Sequence, residues 1–210
     1  LQMEEGEHYK PAPILNSVDR WATHRPGTGP DLPQNLHSVI RDRLLGILFS
    51  QSFDIIDRGI GTMADLNFGC QIALGFKEGP LDIMKRLGET EVHRIMKRFR
   101  KDRPGFPEAD HSFETYQSFH RYILTDDLEG VKIITIRRPQ AMNALNDDVT
   151  DEICQVLESS ENDPAVKGFV LTGFGTSAFS AGADIGRFPT MLGNKEASIQ
   201  YARDCAKVQR

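Results

Sequence analysis

The segment Ala178-Phe179-Ser180-Ala181-Gly182-Ala183-Asp184-Ile185 gathers small residues around a single carboxylate. Small side chains let backbone approach a ligand closely, and Gly182 is free to turn the next N–H outward. An exposed N–H of that kind stabilises an oxyanion that forms only during reaction. The competing reading is a plain Gly/Ala turn, and composition alone favours it. Two other segments imitate a dinucleotide fingerprint. Gly59-Ile60-Gly61-Thr62-Met63-Ala64 has the G-x-G-x-x-A spacing, but it follows a helical pattern, whereas that motif needs a strand in front. Gly173-Phe174-Gly175-Thr176-Ser177-Ala178 does follow a strand, but leads into turn-like sequence. Both are read as turns. Cys70, Cys154 and Cys205 are widely spaced, which suits reduced thiols in a cytosolic protein. The His residues show no ligand spacing with Cys or each other, so no metal site is expected.

The elements that carry these segments change character along the chain. Residues 1–35 read as an extension rich in Pro, Gly and polar groups. Ile14, Leu15, Val18 and Trp21 have helical spacing there, and the Arg25–Pro30 run ends that helix. From Leu36 to Asp57 apolar residues recur at helical intervals. Gly59 is suited to end that helix, and Thr62 with Asp65 forms a capping-box pattern for the next. That helix stops at Gly75. A third runs from Pro80 to Gly88, and a fourth covers about Glu91 to Lys101. The basic run Lys97 to Lys101 continues that helix as a solvated end. Residues 36–120 are therefore an all-helical domain.

After about Arg121 the period changes. Val131 to Ile136 is a β-branched strand, with Asp126, Asp127, Glu129 and Gly130 as the turn of a hairpin leading into it. Asn146 caps a helix whose apolar face is Val149, Ile153, Val156 and Leu157. Gly168 to Thr172 reads as a second, buried strand, followed by a Gly-rich loop and a helix from about Lys195. Strand, helix, strand is an α/β beginning. The 210 residues hold 25 Lys+Arg against 30 Asp+Glu, a net charge of −5 that offers no nucleic-acid footprint. No apolar run approaches the roughly 18 residues of a membrane span, and neither terminus reads as an address or lipidation signal.

Arg138-Pro139-Gln140-Ala141-Met142-Asn143-Ala144-Leu145 after one strand, then Ser180-Ala181-Gly182-Ala183-Asp184-Ile185 after the next, resembles the crotonase (enoyl-CoA hydratase/isomerase) superfamily. The resemblance covers about Ile123 to the C-terminus. It implies that Ala141, Met142, Ala144, Ala181, Gly182, Asp184 and Ile185 line a coenzyme A site. It also implies that the Ala183 N–H is one of two donors to a thioester oxygen. Most relatives have a basic residue where Gln140 stands. A second resemblance, over about Leu36 to Asp110, is to the helical C-terminal domain of 3-hydroxyacyl-CoA dehydrogenases. It rests on Arg43-Leu44-Leu45, on Gly59 to Leu66, and on Gly75 to Ile83. In that family an Asn facing the active site commonly precedes Arg-Leu-Leu. Asp42 stands there in this chain, and an ionised Asp accepts but does not donate. Its bland reading is a helix-surface carboxylate.

Together the resemblances imply an α-helical domain followed by the α/β start of a crotonase fold at 121–210. They fit the middle of a bifunctional β-oxidation protein. Its hydratase would add water across a 2-enoyl-CoA, and its dehydrogenase would use NAD, bound by a domain outside this chain. The fragment itself is expected to be inactive in both reactions. A non-catalytic assembly or coenzyme A-binding module is the alternative from another class. An enoyl-CoA isomerase or thioester hydrolase is the alternative among enzymes. A homo-oligomer in the cytoplasm is expected, as are uncovered apolar faces at Val149, Ile153 and Val156, and a first proteolytic cut after Arg121.

Overall fold

In a computed structural model, residues 13–20, 22–25, 27–31 and 33–207 are described. Trp21 and both chain termini lie outside them, with the expectations that fall there. The chain forms two compact units, Leu1–Asp42 and Arg43–Arg210. In the first, the expected opening helix is only a 3-10 turn, Pro13–Asn16, and Val18 is exposed. The long helix α1, Gln34–Asp57, begins in this unit. Asp42 on it is 3% exposed, which corrects the surface-carboxylate reading.

In the second unit, local sequence sets the helix ends. α2 is Met63–Leu74. The Thr62 hydroxyl accepts the Asp65 N–H at 3.1 Å and donates to its carboxylate at 2.7 Å. Gly75 closes α2 with φ 69°, a left-handed geometry that a Cβ disfavours. α3 is Pro80–Leu87, with Pro in its first turn, and α4 is Glu89–Asp102. The N-cap of α3 is Gly79, which has no side chain. Asn67 of α2 caps it instead, its Oδ1 accepting the N–H groups of Leu81 at 3.0 Å and Asp82 at 3.3 Å. A Cβ on Gly79 would collide with that Asn67 side chain, which is why the turn is glycine. A short helix that the periodicity does not announce, α5, is Phe113–Gln117. These helices bury Phe49, Phe53, Leu81, Met84, Val92, Ile95, Met96 and Tyr116 as one cluster.

Next come β1 (Ile123–Leu128) and β2 (Val131–Ile136), an antiparallel hairpin. Asp126 and Asp127 belong to β1 rather than to the turn, which is Glu129–Gly130 with both φ positive. The crossover helix α6 is Asp147–Ser160, and β3 is Gly168–Gly173, parallel to β2. The sheet order is β1-β2-β3. The short α7, Phe188–Met191, and α8, Lys195–Lys207, follow.

Two burial expectations are corrected. Val149, Ile153 and Val156 are not uncovered; they are 0%, 1% and 6% exposed, packed with Ile123, Ile134 and Ile136. The hairpin before α6 supplies the cover. β3 is not buried: Phe169, Val170 and Leu171 are all exposed, and among the described residues β3 is an edge strand. Arg121 is not a loose hinge either. Its guanidinium holds Asp82 at 2.8 Å and its N–H donates to Glu152 at 2.7 Å.

Candidate functional site

β2 ends by delivering Arg137 and Arg138 at the mouth of the sheet. A 3-10 turn, Pro139–Ala141, reverses the chain, and Met142 and Asn143 follow in left-handed conformations with φ 49° and 56°. The chain then runs extended through Leu145, where it meets the segment after β3. Leu145 and Ala183 form an isolated parallel bridge. The Leu145 N–H donates to Gly182 O at 2.8 Å, and the Asp184 N–H donates to Leu145 O at 2.8 Å. In a parallel bridge the flanking residues carry the bonds and the residue between them points its own groups away. The Ala183 N–H is therefore turned outward, and no hydrogen bond among the described residues uses it. Gly182 makes the turn possible with φ 88°.

The loop is held from below by side chains that the motif reading passed over. Asn143 is 1% exposed. Its Nδ2 donates to Phe174 O at 3.1 Å and Ala178 O at 3.0 Å, and its Oδ1 accepts the Arg138 N–H at 3.0 Å. Ser180 donates its hydroxyl to Asn143 O at 2.8 Å and accepts the Gly182 N–H at 3.1 Å. The Ala181 N–H reaches Met142 O at 2.9 Å. Gly173 lets these strands approach, because a Cβ there would strike Phe179 O. A buried Asn beside two small-residue motifs is the signal that could have found this knot.

Arg138 crosses from the first motif to the second. Nη1 donates to Ala144 O at 2.6 Å and Nη2 to the Asp184 carboxylate at 3.0 Å. The Gly186 N–H, then this guanidinium, hold the Asp184 carboxyl below its ordinary range. Asp184 is thus an anchored anion, not a proton donor. Of the expected lining residues, Ala144 is buried, whereas Met142 and Ile185 are 61% and 72% exposed and free to meet a ligand. Gln140 lines an open cleft of about 1010 Å³ that also holds Lys77, Lys85, Asp148 and Asp151, so its walls carry both signs of charge.

Arg137, the preceding residue, faces the helices. It is 3% exposed, donates to Asp65 at 3.0 Å, and lies 4.5 Å from the centre of the Phe68 ring. Its Nε and Nη2 have no acceptor among the described residues. Burial raises the Cys70 thiol above its ordinary range, so it is not an activated nucleophile. The described residues contain no His/Cys/Asp/Glu cluster placed to hold a metal ion. Neither fingerprint imitation builds a dinucleotide site. Gly59 to Thr62 is the turn between α1 and α2, with Met63 and Ala64 opening α2, and Gly173–Ala178 runs into the Ala183 loop without a helix.

Two strand-exit loops are thus zipped so that one N–H stands outward. Residues 126–205 match the enoyl-CoA hydratase/isomerase family. The matched range begins within β1 and holds both motifs. The chain is 46% identical over 61 residues to the short-chain-enoyl-CoA hydratase of Clostridium acetobutylicum, covering 29% of this chain and 23% of that protein. It is 54% identical over 55 residues to the mitochondrial enoyl-CoA hydratase of Pongo abelii, covering 26% and 19%. It is 41% identical over 66 residues to a probable 3-hydroxyisobutyryl-CoA hydrolase of Arabidopsis thaliana, covering 31% and 17%. The chain spans about a quarter or less of the length of these curated relatives. The family match supports a crotonase fold for residues 126–205.

Proposed function

We propose that residues 121–210 carry part of an acyl-CoA site, and that the parent protein hydrates 2-enoyl-CoA thioesters. The observation that carries this is the outward Ala183 N–H, held by the Leu145–Ala183 bridge and used by no hydrogen bond among the described residues. A preorganised N–H aimed at a thioester oxygen polarises the carbonyl and stabilises the charge that develops as a nucleophile adds to C3. Ala181, Gly182 and Ala141 leave room for the pantetheine arm beside the backbone, and Met142 and Ile185 supply exposed apolar contact. Hydration also needs a positioned acid and base. Asp184, tied to Arg138 and Gly186, does not serve as either. Binding without turnover is therefore expected of this chain.

The test is calorimetric titration with crotonyl-CoA, paired with a hydration assay. Saturable binding, lost in Gly182→Val, supports the reading. Absence of binding, or an unaffected Gly182→Val chain, places the site elsewhere. Hydration well above buffer would overturn the expectation of binding alone. A thioester hydrolase is the second reading, favoured by the similarity to the Arabidopsis thaliana protein. Release of free coenzyme A from a 3-hydroxyacyl-CoA distinguishes it.

For residues 36–120 the dehydrogenase-like reading remains a proposal. It is supported by the left-handed Gly59 and Gly75 turns and by the Gly79-Pro80 start of α3. In that reading NAD is bound by a domain outside this chain.

A further inference from the structure

Arg138 joins both motifs by charge, beside the neutral Ser180–Asn143 and Asn143–Ala178 crossings. Its guanidinium reaches a carbonyl one residue before Leu145 and a carboxylate one residue after Ala183. These are the two positions that frame the bridge. Among the described residues, Ala183 is flanked by the backbone bonds Leu145 N–H to Gly182 O and Asp184 N–H to Leu145 O, with Ala181 N–H to Met142 O continuing the seam. Neutral bonds of this kind contribute only about 1 kcal/mol each. Charge-assisted bonds from a planar fork are about twice as strong as neutral ones and fix direction as well as distance. Arg138 is itself fixed from behind, its N–H on Asn143 Oδ1 and its carbonyl accepting the Asn143 N–H at 2.8 Å.

We propose that Arg138 is a positioning residue that clasps Ala144 O to the Asp184 carboxylate and so sets the direction of the Ala183 N–H. It touches no substrate; it acts through the loop it holds. The ligand side of the proposal rests on the acyl-CoA reading above, while the clasp is testable without ligand. Lys in place of Arg138 keeps the charge but not the two-pronged geometry. Asn in place of Asp184 keeps the shape but loses the charge.

The experiment measures amide hydrogen exchange by NMR in the 210-residue chain, its Arg138→Lys and Asp184→Asn variants and the double variant. The Leu145 and Asp184 amides should exchange about tenfold faster in either single variant, as loss of one charge-assisted bond implies. The double variant should be no faster than the singles, and the core amide of Ile134 should be unmoved. Unchanged Leu145 and Asp184 exchange, additive effects in the double variant, or an equal rise at Ile134 would overturn the clasp. The second readout is absorption of bound para-dimethylaminocinnamoyl-CoA, which moves to longer wavelength when its carbonyl is polarised. Both variants should lose most of that shift, and Arg138→Lys should keep its affinity within about threefold, since polarisation rather than uniform binding is lost. A shift that survives undiminished in both variants overturns the proposal alone. A wild-type chain that binds the probe with no shift overturns the acyl-CoA reading.

Discussion

Asn143 shows how much one buried amide can hold. It satisfies two carbonyls of the β3 exit loop and one N–H of the β2 exit, from a left-handed backbone that Asn tolerates better than most residues. Asn143→Ala strands those three groups and keeps the strained backbone, so it should cost about 2–4 kcal/mol. Urea denaturation of the variant measures this, and a loss below half a kilocalorie would mean water replaces the amide. Asp184 works by charge. Its folded pKa is depressed, so its contribution is present above the unfolded value of 3.8 and is lost as pH falls through the lower folded value. The loop should therefore loosen only below about pH 4, where Leu145 amide exchange is the readout. Asp184→Asn should abolish that step.

Two ties join the helices to the sheet at the scale of elements. One is the Arg121–Asp82 pair with Glu152 on the Arg121 and Tyr122 N–H groups. The other is Arg137, paired with Asp65 and stacked on Phe68, while Phe68 meets Phe174 edge-on at 5.6 Å. A buried cation that loses its partner is penalised more than an apolar replacement of similar volume. Arg137→Met should therefore be tolerated. Asp65→Ala should destabilise by about 1–2 kcal/mol, a value discounted because that carboxylate is largely exposed. Thermal melts of both variants rank them, and the reverse order would show that the pair is net stabilising. Much of each element was legible beforehand because its signals are local: Thr62 with Asp65, Gly75 after α2, Pro80 and Asn146 act within three or four residues. The Asn67 cap of α3 was not legible, since donor and acceptor are 14 residues apart on different helices.

For the whole molecule, the exposed run on β3 decides solution behaviour. Phe169, Val170 and Leu171 are 41%, 47% and 38% exposed on a strand whose residues are of the kind that parallel sheets bury on both faces. An unpaired edge beside apolar faces promotes association. The 210-residue chain should sediment as a concentration-dependent oligomer, and Val170→Lys should shift it toward monomer. A wild-type chain that stays monomeric at high concentration would contradict this. Proteolysis after Arg121 should be slow, since its N–H and guanidinium are both engaged.

Apart from the opening turn and the short α5 and α7, order along the chain needed nothing beyond sequence: helices, then a hairpin, a crossover helix and a strand. Periodicity, caps and turn glycines are short-range, and so are the two small-residue motifs. Tertiary structure alone decided which faces are covered and how the motifs meet. Asp42 is buried rather than solvated, Val149 and Ile153 are covered by the hairpin, and β3 is open. The Arg138–Asp184 and Arg137–Asp65 pairs span 46 and 72 residues. A local pattern does not encode such distances, because charge pairing and burial depend on which surfaces the packed elements bring together.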